Sequence, residues 1–348
     1  MNGALLYDRI AGCLIGGALG DALGYEVEFL PWEMIRREYG GPIRSPVPHN
    51  GIALFSDDTQ MTLFTNEGLV IGYWQEKKYR SGKRPDDYIF QAYLCWLKTQ
   101  GEDAHSDLEQ KSELMKVPGL YDRRAPGNTC LFSLRGGVKG TVAEPLNDSK
   151  GCGGVMRSAP AGFMPFWERP LILGARSAAS THGNPGAWVP AGMLSDIVCR
   201  CLYEDHRTLH GIIDDSLDAV RKQWKMPEAE HFSGMVKNAV WLSGSAMPEV
   251  DAVHSIGGGW VGDEALAIAV YSCLKHPDSI TDALITAVNH SGDSDSTGSI
   301  AGNILGAYHG LSRLPGDWIA RLELRDVILR QAKNMTEAVM DHMASLRQ

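Results

Sequence analysis

Residues 1–24 read MNGALLYDRIAGCLIGGALGDALG. The stretch is apolar enough to imitate a secretory signal, yet it lacks a basic n-region and continues into acidic, patterned sequence, so it reads as a core helix. Gly12, Gly16, Gly17 and Gly20 lie inside the apolar run rather than in a linker. Glycines placed there let another helix or a ligand approach the backbone closely.

The same helical spacing recurs downstream. Tyr88, Ile89, Ala92, Tyr93, Trp96 and Leu97 follow a Pro85-Asp86-Asp87 start signal. Further helices are predicted over 170–180, 187–203, 264–275, 280–288 and 299–311. Clean period-two strands are scarce, so the predicted fold class is all-α. Residues 1–348 read as a single domain, with 99–124 and 204–250 as peripheral decoration. No fixed-period repeat marks a solenoid.

Composition narrows the function. A formal charge of −9 without a Lys/Arg cluster argues against a nucleic-acid partner. No apolar run approaches the ~20 residues that span a bilayer, so no membrane partner is expected. Seven cysteines without a CxxC pair read as free thiols of a reducing cytoplasm.

Four segments carry chemistry. In Ser291-Gly292-Asp293-Ser294-Asp295-Ser296-Thr297-Gly298, read as a loop between two helices, carboxylates and hydroxyls converge. Oxygen-only donors suit Mg²⁺, Mn²⁺ or Ca²⁺; the plainer alternative is a helix N-cap. Ser56-Asp57-Asp58-Thr59, before the periodic run from Met61, has the same two readings. Adjacent carboxylates repel unless a cation or proton lies between them, so their repetition favours shared cation binding.

In Gly20–Phe29, GDALGYEVEF, Glu28 is a candidate general base or substrate-orienting carboxylate, or else a solvated surface charge. Ser149-Lys150-Gly151-Cys152-Gly153 could present backbone N–H groups to phosphate, or simply connect two helices tightly. His182 in STHGNP reads either as a ligand contact or as a satisfied structural histidine.

The ordered set GDALGYEVEF, SDDTQMTL, GCGGVMRSAP, STHGNP, GGGWVGDEAL and SGDSDSTGSIAGNILGA resembles the ADP-ribosylglycohydrolase family over about residues 7–314. The resemblance implies a compact all-α fold with two Mg²⁺ ions, Mn²⁺ being a substitute, in a central cleft. It implies Ser56, Asp57, Asp58, Asp293, Asp295 and Ser296 as metal ligands, with Asp57, Asp58 and Asp295 serving catalysis beside Glu28 near the reacting ribose. Ser149, Lys150, Gly151, Cys152, Gly153, His182 and Trp260 fall on segments that hold ADP-ribose. Ser56 and Ser296 stand where threonine is common, and keep the hydroxyl. Cys152 stands where asparagine is usual, and Lys150 beside it offers positive charge to phosphate.

The implied activity is Mg²⁺-dependent hydrolysis of the bond between ADP-ribose and a modified protein side chain. The serine-rich GDSDSTG form resembles arginine-directed relatives. The expected partners are an ADP-ribosylated protein, the ADP-ribose product and, in an immunity setting, an ADP-ribosyltransferase toxin. Two rival readings are a glycosyltransferase using Asp293-Ser294-Asp295 as a DxD element, which the helical pattern opposes, and a non-catalytic ADP-ribose binder or toxin-immunity protein acting by occlusion. The presence of every acidic ligand favours activity over the binder.

Overall fold

The computed structural model describes residues 2–346. Fifteen α-helices run through these residues. They are α1 (Gly3–Gly24), α2 (Trp32–Tyr39), α3 (Asp57–Tyr79), α4 (Pro85–Thr99), α5 (Asn128–Arg135), α6 (Pro170–Ala179), α7 (Pro185–Tyr203) and α8 (Leu209–Gln223). The chain continues through α9 (Pro227–Ser243), α10 (Glu249–Ile256), α11 (Gly262–Lys275), α12 (Ile280–Val288), α13 (Ser294–His309), α14 (Gly316–Arg321) and α15 (Arg325–Ser345). The all-α expectation holds. Among the described residues no helix is long and apolar enough to cross a membrane.

Many helices begin where local chemistry dictates. Proline opens α4, α6, α7 and α9, where its missing N–H would have no intrahelical acceptor. Side-chain oxygens of Asn2, Ser56, Asn184, Thr208, Ser279 and Asp293 cap α1, α3, α7, α8, α12 and α13.

The centre of the molecule is the antiparallel pair α1 and α13. Gly12, Gly16 and Gly20 on α1 face Gly306, Gly302 and Gly298 on α13. A Cβ at Gly302 would lie 2.0 Å from the Gly16 carbonyl oxygen, and one at Gly20 would lie 2.0 Å from that of Gly298. Only glycine permits this approach. Asn303 fills the space above Gly17 and donates its side-chain amide to the Cys13 carbonyl at 2.9 Å. The stripe ends with Gly24 against Ser294, so the last turn of α1 abuts the first turn of α13.

The same geometry fixes a third helix end. Asp21, buried in α1, accepts the backbone N–H of Ser56 at 2.8 Å and of Thr59 at 3.0 Å. It thereby holds the N-terminus of α3 against α1. Three helix ends carrying acidic residues converge at one place.

Two expectations need adjustment, and one short strand pair accompanies the helices. The serine-rich acidic segment is not a loop throughout: α13 begins at Ser294, five residues before 299, because Asp293 caps the Ser296 N–H at 3.3 Å. The 204–250 stretch is more than decoration, since it forms α8 and α9 and buries Ile212, Val220, Phe232 and Val236 in the core. A two-stranded hairpin, β1 (Pro48–His49) and β2 (Ile52–Ala53), turns at Asn50-Gly51 with φ of 52° and 88°. An Asn-Gly pair with positive φ at both positions is the strongest short hairpin signal a sequence offers.

The glycine stripe sets a test. Gly302→Ala is expected to destabilise the protein by about 3 kcal/mol, the upper range for overpacking a core. Gly234→Ala, within α9 where an added Cβ meets nothing within 4 Å, is expected to stabilise by about 0.5–1 kcal/mol. Denaturant unfolding of both variants measures the contrast.

Candidate active site

Where the three helix ends meet, a cleft of ≈ 320 Å³ opens, with Glu28, Asp57, Asp58, Asp293 and Asp295 on its walls. One carboxylate oxygen from each of Glu28, Asp293 and Asp295 lies within 4.8 Å of the other two. Asp57 and Asp58 come from the first turn of α3 and Asp295 from the first turn of α13. Helix N-termini favour negative charge, which is the local reason both segments tolerate carboxylates.

The carboxylates are unequally satisfied. Asp57 accepts the Gly127 N–H at 3.2 Å. Asp295 accepts the Ser296 N–H at 2.9 Å. Asp293 accepts that same N–H at 3.3 Å and the Cys152 thiol at 2.7 Å. Asp58 Oδ2 and Glu28 Oε2 are buried without any hydrogen-bond partner. The charges facing Glu28 are Asp295, Asp293, Asp57 and Asp21, all acidic.

Electrostatics follow from that crowding. Burial, then the Asp295 charge, pushes Asp21 up to about 7 and Glu28 up to about 10. Burial also raises Asp57, Asp58 and Asp293 well above the usual carboxylate range. Clustered hard oxygens, two of them unpartnered, form a donor set suited to a hard divalent cation.

The facing wall is the glycine-rich segment. Gly151, Cys152, Gly153, His182 and Trp260 line the same cleft. Ser56, Ser149 and Lys150 do not. The Ser56 hydroxyl takes the Asp58 N–H at 3.2 Å, and the Ser149 hydroxyl takes the Gly151 N–H at 3.3 Å. Lys150 is exposed, its stem beside Gly186 at the start of α7. Ser296 lines the cleft with its hydroxyl directed to the Cys152 sulfur at 3.5 Å.

His182 is held by a chain of donors. Arg157, fully buried and packed 4.2 Å over the Tyr93 ring, donates to the Thr181 hydroxyl at 2.6 Å. Thr181 Oγ1 lies 2.8 Å from His182 Nδ1. The Thr181 hydroxyl, accepting from the guanidinium, has two partners for its own hydrogen, His182 Nδ1 and the Ala178 carbonyl at 3.4 Å. Nε2 faces Gly151 and Gly153, where an added Cβ would lie 3.3 Å from it. Burial and the Arg157 charge lower His182 to about 3, keeping the ring neutral.

Sequence reading passed over Asp21, Arg157 and Phe29. Asp21 and Arg157 lie inside the quoted segments GDALGYEVEF and GCGGVMRSAP. A charge within an apolar, glycine-rich run is the signal that could have singled them out, because such a charge must find buried partners.

The all-α fold thus sets an acidic cleft opposite a glycine-rich wall. The ADP-ribosylglycohydrolase family model matches residues 2–345, and the chain belongs to that family. It is 24% identical, over 98% of this chain and 98% of the relative, to the ADP-ribosyl-[dinitrogen reductase] glycohydrolase of Rhodospirillum rubrum. The ADP-ribosylarginine hydrolase Tri1 of Serratia proteamaculans is 24% identical, over 94% of this chain and 79% of that protein. A solved structure titled ADP-ribosylglycohydrolase-related protein complex superposes with a TM-score of 0.62 at 24% identity, covering 97% of this chain and 99% of that one. At this identity the superposition shows the fold.

The crowded carboxylates make stability depend on pH. Groups held above their unfolded pKa keep protons in the folded state that the unfolded chain has released, so stability falls as pH rises through that interval. Neutral buried His182 and His290 act oppositely, but only below their unfolded value of 6.5. The metal-free protein is therefore expected to melt at lower temperature at about pH 9 than at about pH 7, with Glu28→Gln flattening the slope. A thermal series in chelator measures this, and an unchanged slope in Glu28→Gln contradicts the assignment.

Proposed function

We propose that this protein hydrolyses the glycosidic bond between ADP-ribose and a modified protein side chain, with arginine as the linked residue and Mg²⁺ as the required ion. The observation that carries the reading is the set of buried carboxylates with unpartnered oxygens on Glu28 and Asp58, in the cleft that also holds Gly151, Gly153 and His182. Family membership and the arginine hydrolase named among the relatives support it.

Asp57, Asp58, Asp293 and Asp295, with the hydroxyls of Ser56 and Ser296, would hold two Mg²⁺ ions, Mn²⁺ substituting. Bound there, the ions would fix the ribose hydroxyls and activate a water. His182 and the backbone N–H groups around Gly151 and Gly153 would face the diphosphate, with Cys152 beside them and Ser149 and Lys150 behind this wall, outside the cleft lining. Glu28 Oε2 accepts a hydrogen bond from the attacking water or a ribose hydroxyl. The C1–N bond to the guanidine breaks as the water oxygen bonds to C1, through a transition state with oxocarbenium character. The water proton passes to the leaving nitrogen. The proposed substrate is an ADP-ribosylated protein, the product free ADP-ribose, and the proposed setting the cytoplasm.

Chelation is expected to abolish release of ADP-ribose from arginine-linked protein, and Mg²⁺ or Mn²⁺ to restore it. Asp295→Ala is expected to lower the rate at least about a hundredfold, or ~2.7 kcal/mol of transition-state stabilisation, while the protein stays folded. Radiolabel release, metal affinity and melting on one preparation test both. Full turnover by metal-free protein, or by a folded Asp295→Ala variant, would reject the reading.

A further inference from the structure

Phe29 stands out among the cleft residues. It follows Glu28 in the chain, is 67% exposed and holds a left-handed backbone with φ 68°. A bulky side chain rarely adopts that conformation, and an exposed ring gives little packing in return. Here the conformation lays the ring on Trp260, which is itself 43% exposed, with centroids 5.4 Å apart and planes tilted by 22°. Both rings border the cleft.

Short links tie this pair to the carboxylates. Phe29 is joined directly to Glu28. The Trp260 indole rests on Gly258, where an added Cβ would lie 3.0 Å from it, and the Gly258 carbonyl accepts the Asp293 N–H at 2.8 Å. The aromatic pair and the carboxylates of Glu28, Asp293 and Asp295 therefore line one cleft.

Aromatic faces beside concentrated negative charge attract a flat cation. A guanidinium is flat, permanently charged and weakly hydrated, and it stacks on aromatic rings. A serine oxygen leaving C1 has neither plane nor charge. Resting on the activity proposed above, we propose that Phe29 and Trp260 form a leaving-group subsite for the arginine guanidinium and so determine which linkage is cleaved.

The test uses the full chain with Phe29→Gly. Glycine adopts φ 68° freely and the ring is mostly exposed, so this variant is expected to fold. Three readouts are taken: kcat/KM on arginine-linked and on serine-linked ADP-ribosyl peptides, ADP-ribose affinity by calorimetry, and binding of agmatine in the presence of Mg²⁺ and ADP-ribose by saturation-transfer NMR. Phe29→Gly is expected to lower arginine-linked kcat/KM and agmatine affinity by about tenfold or more, the range of one cation–aromatic contact, and to leave ADP-ribose affinity within about twofold. Phe29→Trp is expected to restore both. Unchanged agmatine binding, failure of agmatine to bind the wild-type protein, or an equal loss of ADP-ribose affinity would overturn the subsite. If the wild type cleaves neither linkage while agmatine still binds through Phe29, the hydrolytic reading fails and the guanidinium subsite stands.

Discussion

The structure depends on how closely α1 and α13 approach. With glycine on both sides, backbone meets backbone, and the two helices lie nearer than side chains of ordinary size would allow. Their register sets Gly24 against Ser294, so the chain leaving α1 passes Glu28 beside Asp293 and Asp295. Asp21 extends the same constraint to α3 by capturing the Ser56 and Thr59 N–H groups. An apolar packing contact thus determines where five carboxylates gather.

That gathering conflicts with burial. Placing acidic groups together in a poorly solvated cleft raises their proton affinity and leaves oxygens without donors, an arrangement unfavourable for folding alone. The protein meets part of the demand with the Gly127 N–H on Asp57, the Ser296 N–H on Asp293 and Asp295, and the Cys152 thiol on Asp293. Of the remainder, the Asp58 oxygen is the portion a cation would satisfy, and the Glu28 oxygen the portion left for water or a ribose hydroxyl. The facing wall solves the opposite problem: buried Arg157 has its charge spread over Tyr93, Thr181 and Cys130, and through Thr181 it positions the His182 ring.

Much of this was legible in the sequence. The Pro85-Asp86-Asp87 start signal located α4, apolar periodicity placed α6 and bounded α12 correctly, and the sequence segments supplied the carboxylates that now line one cleft. What stayed hidden depends on partners remote in the chain. Asp21 gains its role from an N–H group 35 residues away, and Arg157 from a threonine 24 residues away. Phe29 depends on a backbone angle and on Trp260, neither of which periodicity reports. The start of α13 was placed late because Ser and Asp read equally well as loop or as cap, and the Asp293 side-chain bond decides between them.

The central claim is that this helix contact assembles a proposed cation site from Asp57, Asp58, Asp293 and Asp295, with Glu28 beside it. Anomalous diffraction from crystals soaked in Mn²⁺ tests it most directly. The account expects anomalous density in the cleft within coordination distance of the unpartnered Asp58 Oδ2 and of the Asp295 carboxylate. Strong density elsewhere on the protein with none in this cleft would contradict it.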